Sequence, residues 1–230
     1  VDKYRLESDT ASGLLRVIAL RDFNNVKAGD HGGLVSGPDN LDQLGGCWVY
    51  EGSTARGNAR VSGDARVYGR AQVCGNAVIA GNARIFSQAL VFDRAIVFDN
   101  ARVGGMAHVG GNAVVDGGAR IFDAASISDN ARVGGMAQLG GSIHICGNTF
   151  VRGTVFLFDA AYIGGNAVIA SKEHYLYAML SEGAVTMWRR SDGMLEGHYN
   201  GGISDLKEQC AADPELNAVV KIMKERAKNW

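Results

Sequence analysis

Residues 57–85 read GNARVSGDARVYGRAQVCGNAVIAGNARI, a phrase of Gly, a mostly Asn or Asp position, Ala, any residue and then Val or Ile, returning every six positions. Working outward from it, the aliphatic member keeps its phase from Val49 to Ile169 with no insertion or deletion, and only Ala55 puts a smaller residue in that series. Two positions earlier runs a smaller series, Ala59, Ala65, Ala71 and onward to Ala137, then Ile143, Thr149, Val155, Ala161 and Ala167. Residues two apart on a strand share a face, so both series point the same way, and the residues between them point outward. A six-residue unit of short strand and turn cannot bury its apolar face alone, but it can when stacked in successive coils. The corners then require positive φ, which Gly, Asn and Asp tolerate best, and the expectation is that both members of the Gly-Asn or Gly-Asp pair serve there. A heptad coiled coil is excluded by the period of six and the abundance of Gly, and an ordinary amphipathic sheet by the unbroken phase.

The pattern [Val/Ile]-x-Gly-[Asn/Asp]-Ala-x resembles that of the hexapeptide-repeat proteins, whose fold is a left-handed parallel β-helix of triangular coils with eighteen residues each. The left-handed crossover is implied by this resemblance. The lead-in LRVIALRDFNNVKAGDHGGLVSGPDNLDQLGGCWVY and the tail from VTMWRRSDGMLEGHYNG to the last residue are similar to the ends of YdcK-like members found in bacterial and prophage genomes. Where those relatives carry a Cys in the segment before the terminal helices, His198 stands here, so a role resting on that Cys does not transfer. The expected fold is therefore mainly β: an N-terminal cap over 1–46, a β-helix of about seven coils over 47–173, and a small α+β module over 174–230. At about 4.8 Å per coil the prism is roughly 34 Å long. The module reads as the strands YLYAML, AVTMWRR and MLEGHY followed by two helices, with Ser204 and Asp213 as N-caps and Pro214 at the first helical position.

A net charge of −1 argues against bulk binding to nucleic acid or to a membrane surface. No secretory h-region or run of eighteen apolar residues occurs, and a cytoplasmic setting is expected, in the host if the chain is phage-encoded. Cys74 and Cys146 share a phase but lie four coils, about 19 Å, apart, so the cysteines read as reduced thiols rather than a disulfide framework.

An eighteen-residue coil sorts the outward residues into three sides. On the first, Trp48, Arg66, Arg84, Arg102, Arg120, Gln138 and Phe156 form one column, and Tyr50, Tyr68, Phe86, Gly104, Phe122, Gly140 and Phe158 run beside it. Arg offers planar, bidentate recognition of phosphate or carboxylate and stacks on rings. Arg66, Arg84, Arg102 and Arg120 with Tyr68, Phe86 and Phe122 are thus candidates for binding an anion, a nucleotide or an acidic partner. Simple lateral packing, with corner Asp residues screening the charge, is the competing reading.

The second side carries Val78, Ile96, Val114, Phe150 and Val168, interrupted by Arg60 and Arg132. An apolar stripe of this kind meets another surface, either a subunit, most simply in a trimer, or a terminal module of the same chain. The third side shows Gln72, Leu90, His108, Ser126, His144 and Tyr162. His108 and His144 are two coils, roughly 10 Å, apart, too far to share one zinc ion. No metal or other cofactor is expected. The double glycines of VGGMAHVGGN (103–112) and VGGMAQLGGS (133–142) leave flat patches open to a ligand or a neighbouring side chain.

Hexapeptide acyltransferases use acyl-CoA and one His base at a subunit boundary, which makes His108 and His144 weak catalytic candidates. Those enzymes usually extrude a loop from one coil, and this repeat extrudes none. The favoured expectation is a non-enzymatic accessory protein of phage or prophage origin. It would use a rigid face to bind a host macromolecule or to sequester a small anionic ligand such as a nucleotide.

Overall fold

A computed structural model describes residues 2–158, 160–180, 183–192, 194–199, 202–203 and 214–228. Three strands open the chain, β1 (Tyr4–Asp9), β2 (Leu14–Ala19) and β3 (His31–Val35), the first two antiparallel. Twenty-one two-residue strands follow, β4 (Trp48–Val49) to β24 (Val168–Ile169), each separated from the next by four residues. They stack into three parallel sheets in which every strand pairs with the one eighteen residues on, as Arg84 with Arg102 and Ile96 with Val114. The chain is a three-sided β-solenoid, as its periodicity predicts. Both inward series are fully buried along its length, from Ala59 and Val61 to Ala167 and Ile169.

The corners refine the expectation drawn from the Gly-Asn phrase. From Gly57 on, the described corners place only the first of their two residues at positive φ, whereas at Glu51–Gly52 it is the second. Gly105, for example, sits at +67°, and a Cβ built there would meet the Asp123 backbone nitrogen at 2.6 Å. Where that place is not Gly it is Ser87, Asp93, Asp99, Asp123 or Asp129, with φ between 53° and 57°. Each of the four aspartates accepts a hydrogen bond from the backbone N–H eighteen residues on, as Asp93 does from Gly111 and Asp129 from Gly147. That charge-assisted bond offsets the steric cost of the left-handed region for a residue with a Cβ, about 1–2 kcal/mol. The asparagines in the second place instead form a side-chain ladder, with the amide of Asn112 donating to Asn130, Asn130 to Asn148 and Asn148 to Asn166.

At the N-terminal end the parallel ladder reaches back before Cys47. Leu34 and Val35 pair with Thr54 and Ala55, Leu41 bridges Val61, and Gly32 bridges Tyr50. All three sheets therefore have their first edge covered, which blunts a template for pairing with other chains. Trp48, an outward position by phase, is buried at 1% exposure because Tyr4 and Phe23 pack edge-on against it. The Lys3 ammonium is buried and donates to the carbonyls of Leu44 and Cys47 at 3.2 and 3.1 Å and lies 3.2 Å from Cys47 Sγ. Burial raises the Cys47 thiol pKa, and the Lys3 charge opposes it.

At the other end, β25 (Tyr175–Leu180), β26 (Gly183–Arg189), β27 (Leu195–Tyr199) and β28 (Gly202–Ile203) form an antiparallel sheet. Trp188 reaches from it into the solenoid core, and Ala167 bridges Arg190. Helix α1 (Pro214–Ala227) starts at the expected proline and lays Leu216, Val220 and Met223 on Val185 and Met187. The expected N-caps Ser204 and Asp213, the helix proposed between them, and Cys210 lie outside the described residues.

Two core substitutions test this packing with opposite signs. Val103 has no exposed surface, so Val103→Asp buries an unpaired charge at a cost of several kcal/mol. Thermal unfolding should show a midpoint at least about 10 °C lower, and a parent-like melt would refute the inward assignment. Thr149 is buried with its hydroxyl unpartnered, so Thr149→Val should raise stability by about 1 kcal/mol.

Candidate functional site

The first side of the solenoid brings Arg66, Arg84, Arg102 and Arg120 into one column of adjacent rungs. The inward residues Val67, Ile85, Val103 and Ile121 anchor the strands, so the guanidiniums play no part in the core. Among the described residues none of the four has a carboxylate within ion-pair distance. Of the four corner aspartates, Asp99 and Asp123 flank this side, and each accepts a hydrogen bond from a backbone N–H of the next coil.

Beside this column Tyr68 and Phe86 stack with centroids 5.4 Å apart and planes 10° from parallel. The Phe86 ring lies over Gly104, where a Cβ would be 2.3 Å from Cζ. Phe158 covers Gly140 in the same way, and on the third side Phe92 covers Gly110. Three of the four flat patches expected at the double glycines are thus seats for rings of adjoining coils, and at the fourth the Asp116 side chain lies against Gly134. Tyr50 does not continue the stack. It stands at 80° to Tyr68, 6.1 Å away, while its hydroxyl donates to Asn25 Oδ1 at 2.7 Å. A cleft of about 220 Å³ opens where the stack breaks, lined by Asn25, Tyr50, Arg66, Tyr68 and Arg84. Asn25 was not legible as a site residue, because it lies in the non-periodic lead-in and nothing in its spacing ties it to the repeat.

On the second side Val78, Ile96 and Val114 occupy successive rungs, Arg132 interrupts, and Phe150 and Val168 follow. Ile96 and Phe150 are the most exposed of these at 37% and 36%, and the Arg152 guanidinium sits 5.3 Å from the Phe150 ring centre.

The third side separates the two candidate bases by the rung of Ser126. His108 is exposed and its side chain makes no hydrogen bond among the described residues. His144 Nδ1 lies 3.1 Å from the Ser142 carbonyl, which only accepts and so holds the proton on that nitrogen. His144 also stacks on Tyr162 at 6.4 Å, and Tyr162 on His198 at 4.4 Å. Cys146 Sγ and Tyr162 Oη are hydrogen-bonded at 2.9 Å; this bond first, and burial second, push the Tyr162 pKa up to about 12, the sense expected when the phenol O–H is the donor. Burial raises the Cys146 pKa and lowers that of His198. Neither candidate base is paired with a carboxylate that would polarise it. Among the described residues no three metal-ligating side chains come together, and no helix is long and apolar enough to cross a membrane.

The depressed pKa of His198 sets a pH dependence. Below about pH 6.5 the unfolded chain takes up a proton that the folded chain resists, so stability present above that pH is lost as pH falls through it. The melting temperature should drop between pH 7.5 and 5.5, and His198→Gln should shrink that drop. His174, shifted the same way mainly by burial, leaves a residual slope. An unchanged pH profile in the variant would refute the assignment.

No curated protein matches the chain. Among solved structures, a Bacillus cereus protein described as a "putative acetyltransferase" matches at 12% identity over 83% of this chain and 88% of its own, with a TM-score of 0.26. A likeness that loose says nothing about activity here. Residues 71–86 match the model of the YdcK Beta solenoid repeat, in the middle of the phrase that sets the coil. Over residues 71–86 the chain is thus similar to the YdcK β-solenoid repeat.

Proposed function

We propose that this chain is a non-enzymatic binding protein whose first side engages an anionic partner, either an acidic or phosphate-bearing macromolecular surface or a small anionic ligand. The observation that supports this reading is the column of four arginines with no carboxylate within ion-pair distance among the described residues. Like charges directly across adjacent strands destabilise a sheet, and at rung spacing each neighbouring pair costs up to about 1 kcal/mol even in water. An anion lying along the column removes that repulsion and gains charge-assisted, bidentate hydrogen bonds. The rings beside it supply flat apolar contact at little entropic cost. In this reading the protein is a phage- or prophage-derived accessory factor acting in the host cytoplasm. The Val78–Ile96–Val114 stripe joins copies into a trimer, so the rigid face is presented more than once.

Inorganic tripolyphosphate is a suitable first probe. Arg84→Gln with Arg102→Gln should weaken its binding by about ten-fold or more per lost contact while leaving the melting temperature near that of the parent. His108→Ala and His144→Ala should leave binding unchanged. Acetyl-CoA turnover that disappears in either His variant would replace this reading with acyl transfer. Sedimentation at micromolar concentration should show a trimer, and a clean monomer would refute the role given to the stripe.

A further inference from the structure

The break in the aromatic stack is the feature that the ladder alone does not explain. Tyr68 and Phe86 lie face to face at a separation too small to admit a third ring. Tyr50 is turned edge-on to them and held there by its hydrogen bond to Asn25, a residue outside the repeat. Of the three rings, Tyr50 is the one whose faces are not taken up by a stacking neighbour in the column. Its phenol oxygen uses Asn25 Oδ1, which leaves the Asn25 amide N–H groups as hydrogen-bond donors on the rim of the cleft. Arg66 and Arg84 line the same cleft and carry no ion pair among the described residues. A flat ring face, a polar amide beside it and two unpaired guanidiniums within one cleft match the three parts of a nucleotide: base face, base edge and phosphate.

We propose that the cleft between the N-terminal segment and the solenoid binds a nucleotide, with its base stacked on Tyr50, the base edge met by Asn25, and its phosphate held by Arg66 and Arg84. This rests on the anion-binding reading of the first side and specifies its ligand. The same chemistry is offered by a free nucleoside monophosphate and by the end of a short oligonucleotide. The column continuing through Arg102 and Arg120 would favour the latter, because each further phosphate finds a further guanidinium.

Calorimetric titration of the whole chain with adenosine and guanosine 5′-monophosphates, inorganic phosphate, and a four-nucleotide single strand tests the assignment. At least one monophosphate should bind about ten-fold or more tightly than inorganic phosphate. Tyr50→Leu should remove about five-fold or more of that advantage while leaving phosphate binding unchanged. Arg66→Gln with Arg84→Gln should weaken both ligands alike. Tighter binding of the oligonucleotide that falls with Arg102→Gln identifies the polymer as the source, and equal binding identifies the free nucleotide. Nucleotides no better than phosphate, with Arg dependence intact, overturn the nucleotide and leave the anion face standing. Absence of any Arg-dependent binding, including that of tripolyphosphate, overturns both. Should Tyr50→Leu lower the melting temperature, Asn25→Ala, which removes both the base-edge contact and the hydrogen bond that orients the ring, provides the second measure: loss of the monophosphate's advantage upholds the assignment, and its full retention overturns it.

Discussion

Every sixth residue of the solenoid must enter the left-handed region of backbone space, and the rest of the molecule follows from meeting that demand. The bend delivers the chain from one sheet to the next, so that two inward side chains per rung close a dry core. It also places each strand over the strand eighteen residues before it. Gly meets the demand without strain at most corners. At four others Asp meets it by accepting a hydrogen bond from the coil above, which converts a steric cost into a tie between coils. Asp99 and Asp123, the two that stand at corners of the first side, are tied in this way to backbone N–H groups.

The solenoid was legible because its constraint repeats: one phase maintained from Val49 to Ile169 fixes inside, outside and side for nearly every residue between them. What was not legible lies where that phase gives out. Trp48 is outward by count but buried in fact, since Tyr4 and Phe23 come from segments with no period to announce them. Asn25 is silent in sequence for the same reason, although it sets the orientation of Tyr50. The glycines of the outer columns were read as flat patches open to a ligand or a neighbouring side chain, and at three of them it is a ring, Phe86, Phe92 or Phe158, that lies there. Spacing gives the position of a side chain on a rung but not the direction in which its ring leans.

The three sides also differ in how much of their chemistry is already satisfied within the chain. His144 is engaged by a carbonyl and by Tyr162, which is in turn held by Cys146 and His198. Phe150 is faced by a guanidinium of its own rung region. The arginine column has no such internal partner among the described residues, and this contrast, more than its position, singles it out.

The core treats all three sides alike, and this has a consequence for how such a chain can change length. Loss of eighteen residues would shorten every column by one rung and leave its chemistry intact. Loss of a single hexapeptide between Arg84 and Arg102 would keep every buried residue buried, yet it would seat His108 above Arg84 and pass each downstream column to the neighbouring side. Folding is indifferent to that exchange, but recognition is not. The identity of the sides is thus information that packing alone does not protect. Whole coils are the smallest step by which this architecture lengthens or shortens a binding face without scrambling it.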